Sequence, residues 1–301
     1  MAKKAKKDTY QVITDRIIEA LEGGRIPWEK PWTGGHAPAN MVSKKEYQGL
    51  NIVMLGCSPH ASRWFLTFNQ AKKINEKAFV KKGERGYPIV FWKFLDIKDK
   101  EDETKTKRVP FLRYSTVFNV EQFEGIEAPV DDKPVSEFTP IERAEKIWAG
   151  YKGRPELNHN VQRACYSPSQ DVITMPKQNT FKNPESYYAT LFHEMTHSTG
   201  HENRLNRTEI VNCSFFGDAV YSREELTAEF GASFLNGEAG IETPELDRNS
   251  ASYIQGWLGA LRGDKKMLVS ASSKAKKAVQ YILTGKKESV VDTAKKDVKA
   301  N

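Results

Sequence analysis

The chain has 301 residues, with 46 Lys and Arg against 39 Asp and Glu, a formal net charge of +7. At 39% hydrophobic residues it is polar yet apolar enough for packed cores, and its length fits two domains. No run of eighteen apolar residues occurs, which argues against a membrane-spanning helix, and three scattered cysteines, Cys57, Cys165 and Cys213, exclude a disulfide framework and a paired-cysteine metal site.

The charge is uneven. Residues 1–95 hold 17 basic and 8 acidic side chains, a local excess of +9, whereas residues 96–301 hold 29 and 31. Such patchiness is the footprint of a polyanion partner, because Lys and Arg displace condensed counterions from phosphates. The N-terminal MAKKAKKDTY lacks the apolar stretch of a secretory signal, and this predicts a reducing, cytoplasmic setting. Residues 1–8 read as a disordered basic arm.

From residue 9 to 22, Val12, Ile13, Ile17, Ile18 and Leu21 recur at helical spacing and stop at Gly23 and Gly24. Trp64–Phe68 and Pro88–Trp92 read as short strands. The charged stretch 96–107 reads as a hairpin tip or mobile loop, and a strand pattern resumes at Val109–Val120. Residues 127–140, EAPVDDKPVSEFTP, combine Pro, acid and Ser as a linker does. The chain therefore divides into a unit at 9–126, a linker at 127–140, a unit at 141–285 and a Lys-rich tail at 286–301.

Within 25–95, cations and rings alternate. Arg25, Trp28, Trp32, Lys44, Lys45, Tyr47, Lys72, Lys73, Lys81, Lys82 and Arg85 are candidates for contact with single-stranded DNA. Rings stack on unpaired bases while cations follow the phosphates. Trp64, Phe65, Phe68, Phe91 and Trp92 lie in strand-like runs and are expected in the core. Trp28 and Trp32, in a Pro-rich segment, are expected at the surface.

The second half is more helical. Ile141–Gly150 predicts a helix and Asp171–Met175 a strand, read as an edge open to an extended peptide. Asn183 as N-cap, Pro184 at the first helical position and Glu185 in the first turn start a helix that runs to Ser198 and ends by Gly200. Ser222 with Glu225 three residues on has capping-box spacing and predicts a helix to Leu235. A further helix is predicted over Ser252–Leu261, followed by Lys-rich sequence.

The Asn183–Ser198 helix contains His193-Glu194-Met195-Thr196-His197. Its two histidines share one face and can grip one metal ion, with Glu194 placed as general base on water. The bland alternative is a polar helix face with two ordinary histidines. Gly200 fits the longer pattern H-E-x-x-H-x-x-G-x-x-H, but its last position is Asn203, a poor zinc ligand. The third ligand is therefore sought on the next helix. Glu225 has a competing role at N3 of that helix, reaching back to Ser222, which favours Glu229. Glu225 remains the alternative ligand, or a carboxylate that orients a histidine. Two His and one Glu suit Zn2+, and Mn2+ or another divalent ion can occupy such a set. Tyr187, Tyr188, Tyr221 and Tyr253 are candidate transition-state donors.

Several of these segments carry a family resemblance. Gly24-Arg-Ile-Pro-Trp28 with Pro31-Trp32, Tyr47-x-Gly49-x-Asn51, Asn69-Gln70-Ala71 after Trp64 and Thr67, and Lys82-Gly83-Glu84-x-Gly86 resemble the N-terminal domain of ArdC-type antirestriction proteins. Tyr187 to His201, with Glu224-Glu225-Leu226-x-Ala228-Glu229, resembles that family's zincin-like metallopeptidase domain. The resemblance implies an α+β chain of two domains, an N-terminal nucleic-acid-binding domain and a mainly helical zincin-like domain with a small sheet. It implies a plasmid-encoded protein that binds single-stranded DNA and protects incoming DNA from host restriction during conjugation, with a restriction-system protein as a possible target. His193, His197 and a Glu of the second helix would be ligands and Glu194 the base. Two alternatives stay open: a DNA-binding protein whose metal domain is structural or idle, and a delivered, toxin-like metallopeptidase.

Overall fold

A computed structural model describes residues 8–28, 37–60, 62–98, 106–129, 139–159, 163–211, 219–241 and 251–287. Trp32, the stretch 99–105 and most of the linker, 130–138, lie outside the described residues, as do the basic arm 1–7 and the tail from 288.

Helix α1, Thr9–Glu22, starts where the Asp8 side chain accepts the Tyr10 amide and ends at Gly23. Strand β1, Ala39–Asn40, leads to α2, Leu50–Gly56, then β2, Trp64–Leu66. The strand pattern of Trp64–Phe68 breaks early, because Thr67 and Gln70 form a capping box that starts α3 at Phe68, Phe68–Ile74. Strands β3, Phe79–Val80, β4, Tyr87–Lys98, β5, Thr106–Asn119, and β6, Phe123–Glu124, follow. Strand pairing thus reaches into both ends of the stretch expected as a loop, with Lys98 opposite Thr106.

The first sheet has the order β1-β2-β5-β4 and a separate pair joins β3 to β6. Strand β4 is an edge, yet its backbone at Val90 is not left open. The Asn51 side chain accepts the Val90 amide at 2.7 Å and donates to the Val90 carbonyl at 2.9 Å, which blunts the edge.

The second half opens with α4, Pro140–Gly150, capped reciprocally by Thr139 and Glu142. Strands β7, Glu156–Asn158, β8, Cys165–Ser167, and β9, Val172–Thr174, form a sheet of order β7-β9-β8. The strand expected as an open edge is therefore the central one, with both sides hydrogen-bonded. Helices α5, Pro184–Ser198, α6, Thr208–Val211, α7, Ala219–Ala239, α8, Ala251–Gly263, and α9, Met267–Thr284, complete the fold. Helix α9 lies where the sequence shows only a Lys-rich stretch. Much of its buried face is alanine, Ala271, Ala275 and Ala278, so its Lys-rich outer face dominates the composition.

One hydrophobic core runs through both halves. It takes Ile13, Ile17 and Leu21 from α1, Met54 and Leu55 from α2, Phe192 and Met195 from α5, Phe230 from α7 and Leu258 from α8. Trp28 stands at the junction. Its ring is 3% exposed and meets Phe230 and Trp257 edge-on, with centroids 5.6 and 5.7 Å away. The expectation of a surface Trp28 is overturned. A Pro-rich segment looks polar by itself, but here Pro27 packs against α2 and Trp28 against the helices of the second half. A Cβ on Gly56 would come within 2.0 Å of the Pro27 carbonyl, so α2 needs glycine at that approach. A smaller core, with Trp64, Leu66, Val120 and Phe123, lies under β2, α3 and β6.

Candidate metal centre

Helix α5 is set by its first turn, where Asn183 accepts the Ser186 amide at 2.8 Å and Pro184 occupies the start. Nearly every residue from Ser186 to Ser198 is buried, because α5 is packed on several sides. It crosses α7 closely: a Cβ on Gly231 would lie 2.4 Å from Thr196. That contact brings the α7 carboxylates to the two histidines.

His193 Nε2 and His197 Nε2 are 3.1 Å apart. Glu225 Oε2 is 3.4 Å from the first and Oε1 is 3.4 Å from the second. These three residues form the one group among the described residues that could hold a metal ion. Their spacing fits the donor chemistry. A tetrahedral ion with bonds of about 2.0–2.1 Å sets its ligands about 3.3 Å apart.

The other carboxylates address the far sides of the imidazoles. Glu224 Oε1 lies 3.1 Å from His197 Nδ1, and Glu229 Oε1 lies 3.6 Å from His193 Nδ1. His193 Nδ1 is buried and has no hydrogen-bond partner among the described residues. Glu229, favoured on sequence grounds as third ligand, thus stands behind a histidine, and Glu225 stands in front. The physical reason is the start of α7. It begins at Ala219, ahead of Ser222, so Glu225 is not at N3 and has no cap to serve. Glu194 lies beside His193 in the chain and is 7% exposed.

Arg207 went unnoticed in the sequence. It is 7% exposed and holds Glu224, which is 4% exposed. Arg207 Nε donates to Oε2 at 3.0 Å and Nη2 to Oε1 at 2.5 Å, while Nη1 donates to Thr199 Oγ1 at 2.6 Å. An Arg ten residues after a helix histidine carries no motif, so the contact had no signal to announce it. Gly200 allows the approach: a Cβ there would meet Ile210 at 2.5 Å and the Arg207 guanidinium at 3.1 Å.

The electrostatics follow. Burial opposes a charged His197, yet Glu224 and Glu225 hold its pKa up at about 10. Burial likewise opposes an ionised Glu225, and hydrogen bonds from both imidazoles hold it far below the ordinary carboxylate range. Burial of Glu224 is outweighed by Arg207 and His197, which keep it lowered. Anionic carboxylates surrounding two imidazoles make a pocket whose charge favours a cation.

Other candidates are placed elsewhere. Tyr187 Oη is engaged with His159 Nε2 at 2.8 Å, and Tyr188 Oη donates to Glu145; the side chains of Tyr221 and Tyr253 lie outside those described. In the first half, Arg25, Lys44, Lys45, Lys73, Lys81, Lys82 and Arg85 are exposed, Tyr47 and Lys72 are half-buried, and Arg85 pairs with Glu19 at 2.6 Å. Two rings assigned to the core, Phe68 and Trp92, are 43% and 42% exposed, whereas Trp64 and Phe65 are buried as expected. No helix among the described residues is long and apolar enough to cross a membrane.

Comparison with known proteins agrees with this layout. Residues 142–274 match a zincin-like metallopeptidase, which defines the class of the second domain. Residues 7–118 match the N-terminal domain of the anti-restriction factor ArdC. Crystal structures of the antirestriction ArdC protein from plasmid R388 superpose on the chain. The metal-free form has a TM-score of 0.70 at 33% identity and covers 94% of this chain and 100% of that one. The Mn(II)-bound form has 0.67 at 34%, covering 92% and 97%. A protein of Sinorhizobium fredii, the uncharacterized y4eC, is 34% identical over 91% of each chain. Two Escherichia coli proteins named DNA primase TraC are 33% identical, but this chain spans 27% and 20% of their length. The chain belongs to the ArdC-type antirestriction family and has its α+β, two-domain fold.

Proposed function

We propose that this chain is an antirestriction protein that binds single-stranded DNA through its first domain and carries a divalent-metal peptidase site in its second, protecting incoming plasmid DNA during conjugation. The reading is carried by one observation, the triangle of His193 Nε2, His197 Nε2 and the Glu225 carboxylate with edges of 3.1 to 3.4 Å. The Mn(II) in the related ArdC structure supports a divalent ion, Zn2+ or Mn2+, in that triangle.

His193, His197 and Glu225 would hold the ion, which when bound supplies Lewis acidity toward a scissile carbonyl and water. Glu194 accepts the proton that water gives up on attack and returns it to the leaving amine. Glu224 accepts a hydrogen bond at His197 Nδ1, which leaves Nε2 directed into the triangle. Glu229 lies behind His193 on the matching side, with Oε1 3.6 Å from Nδ1, beyond hydrogen-bond distance.

Glu194→Ala keeps all three donors. The expected result is retained metal content, lost peptide hydrolysis, and lost protection of transferred DNA in a restricting host. Protection that survives intact in this variant assigns the function to DNA binding with an idle metal domain. Toxicity on expression, without any rescue of DNA from restriction, points instead to a delivered peptidase.

A further inference from the structure

Among the described residues of the first domain, Phe68 is an exposed ring that its sequence placed in the core, and it sits on a built surface. Phe68 opens α3 beside the turn that follows β1, and Asn40 ties the two together. Its side chain exchanges hydrogen bonds with the Gln70 side chain at 3.2 and 3.3 Å. Its Oδ1 also accepts the amides of Val42 at 3.1 Å and Ser43 at 3.0 Å. Turn and helix thus present one rigid ridge.

Two ammonium groups are placed on that ridge. Lys44 has a φ of 59°, a left-handed conformation uncommon for lysine, and its Nζ lies 4.6 Å from the Trp64 ring centroid. Lys72 Nζ lies 5.6 Å from the Phe68 ring centroid and donates to the Glu76 carbonyl at 2.8 Å, which holds it beside the ring. The segment 37–82 carries eight basic side chains and two acidic ones. An accessible ring with the Lys72 ammonium beside it and the Lys44 ammonium on the adjoining turn, over buried Trp64, matches a polyanion with free flat faces. A duplex offers phosphates but keeps its bases stacked, and an acidic peptide has no use for the ring.

We propose that single-stranded nucleic acid crosses this ridge, stacking a base on Phe68 while Lys44 and Lys72 meet the flanking phosphates. The proposal rests on the nucleic-acid reading above and moves its aromatic contact from Trp28 to Phe68.

The test is anisotropy with full-length protein and a labelled oligothymidylate, against its duplex with oligoadenylate, across a salt series. Phe68→Ala is expected to weaken single-strand binding about tenfold and Phe68→Trp to preserve it. Lys44→Ala and Lys72→Ala should each flatten the salt dependence by about 0.7 in slope. Trp92→Ala, on the β4–β5 ribbon, should change nothing. Wild-type affinity in Phe68→Ala, or a loss in Trp92→Ala instead, overturns the ridge and leaves nucleic-acid binding standing. Wild-type protein that ignores the single strand at low salt overturns the reading itself and the ridge with it.

Discussion

Arg207 grips both carboxylate oxygens of Glu224, at 3.0 and 2.5 Å, in a fork that is almost wholly buried. Breaking such a pair from one side strands a charge in the interior, at a cost of about 3–5 kcal/mol. Arg207→Met should therefore lower the melting temperature of the whole protein. It should also weaken metal binding, since Glu224 loses the partner that holds it on His197. Thermal melting and chelator competition read the two effects separately. Unchanged affinity in a folded Arg207→Met would mean that His197 needs no such support.

The carboxylates of α7 should rank by position. Glu225→Gln removes a group within 3.4 Å of both imidazoles and is expected to abolish stoichiometric metal. Glu229→Gln changes a group at the rear of His193 and should cost about 10–100-fold in affinity. Metal content after dialysis against a chelator separates the two. The reverse order would restore Glu229 as the ligand.

Trp28 links the halves, so its loss should be felt by both. Trp28→Ala empties the space beside Phe230 and Trp257 and should destabilise by about 3–5 kcal/mol. Calorimetry should show one shared transition in the wild type. Two separated transitions in the wild type would contradict a common core.

At Gly231, added volume meets Thr196 at 2.4 Å. Gly231→Ala should push α7 from α5 and reduce both stability and metal affinity, and adding Thr196→Ser should recover part of each. Two additive effects in the double-mutant cycle would show that the helices do not touch there.

Acid should release a different pair. Burial would raise the Asp171 carboxyl, but Arg204, with its Nη1 3.0 Å from Oδ2, and the Tyr166 hydroxyl hold it below the usual value. A depressed carboxylate contributes stability that is complete above its unfolded pKa of about 3.9 and is lost as pH falls through the folded value. Asp171→Asn should therefore be less stable than wild type at neutral pH, with the difference shrinking below pH of about 4. A constant gap across that window would refute the assignment.

Local patterns in the chain were enough for much that depends on neighbours a few residues apart, although the Thr67–Gln70 capping box, equally local, starts in a segment read as strand and leaves Phe68 outside. Asn183-Pro184-Glu185 announces α5, and the four-residue step from His193 to His197 puts two imidazoles on one face whatever surrounds them. The caps Asp8 and Thr139–Glu142 obey the same short-range logic, although by sequence Asp8 falls in the basic arm and Thr139 in the linker. The remainder turned on contacts between segments distant in sequence. Glu225 rather than Glu229 faces both Nε2 atoms because of how α7 crosses α5. Trp28 went inside because Phe230 and Trp257 stand more than two hundred residues away with space for it. Arg207 reached Glu224, seventeen residues on, through a contact no motif describes. Periodicity and capping report the energy of a few adjacent bonds, whereas burial and ligand geometry depend on which surfaces meet after the chain has closed on itself.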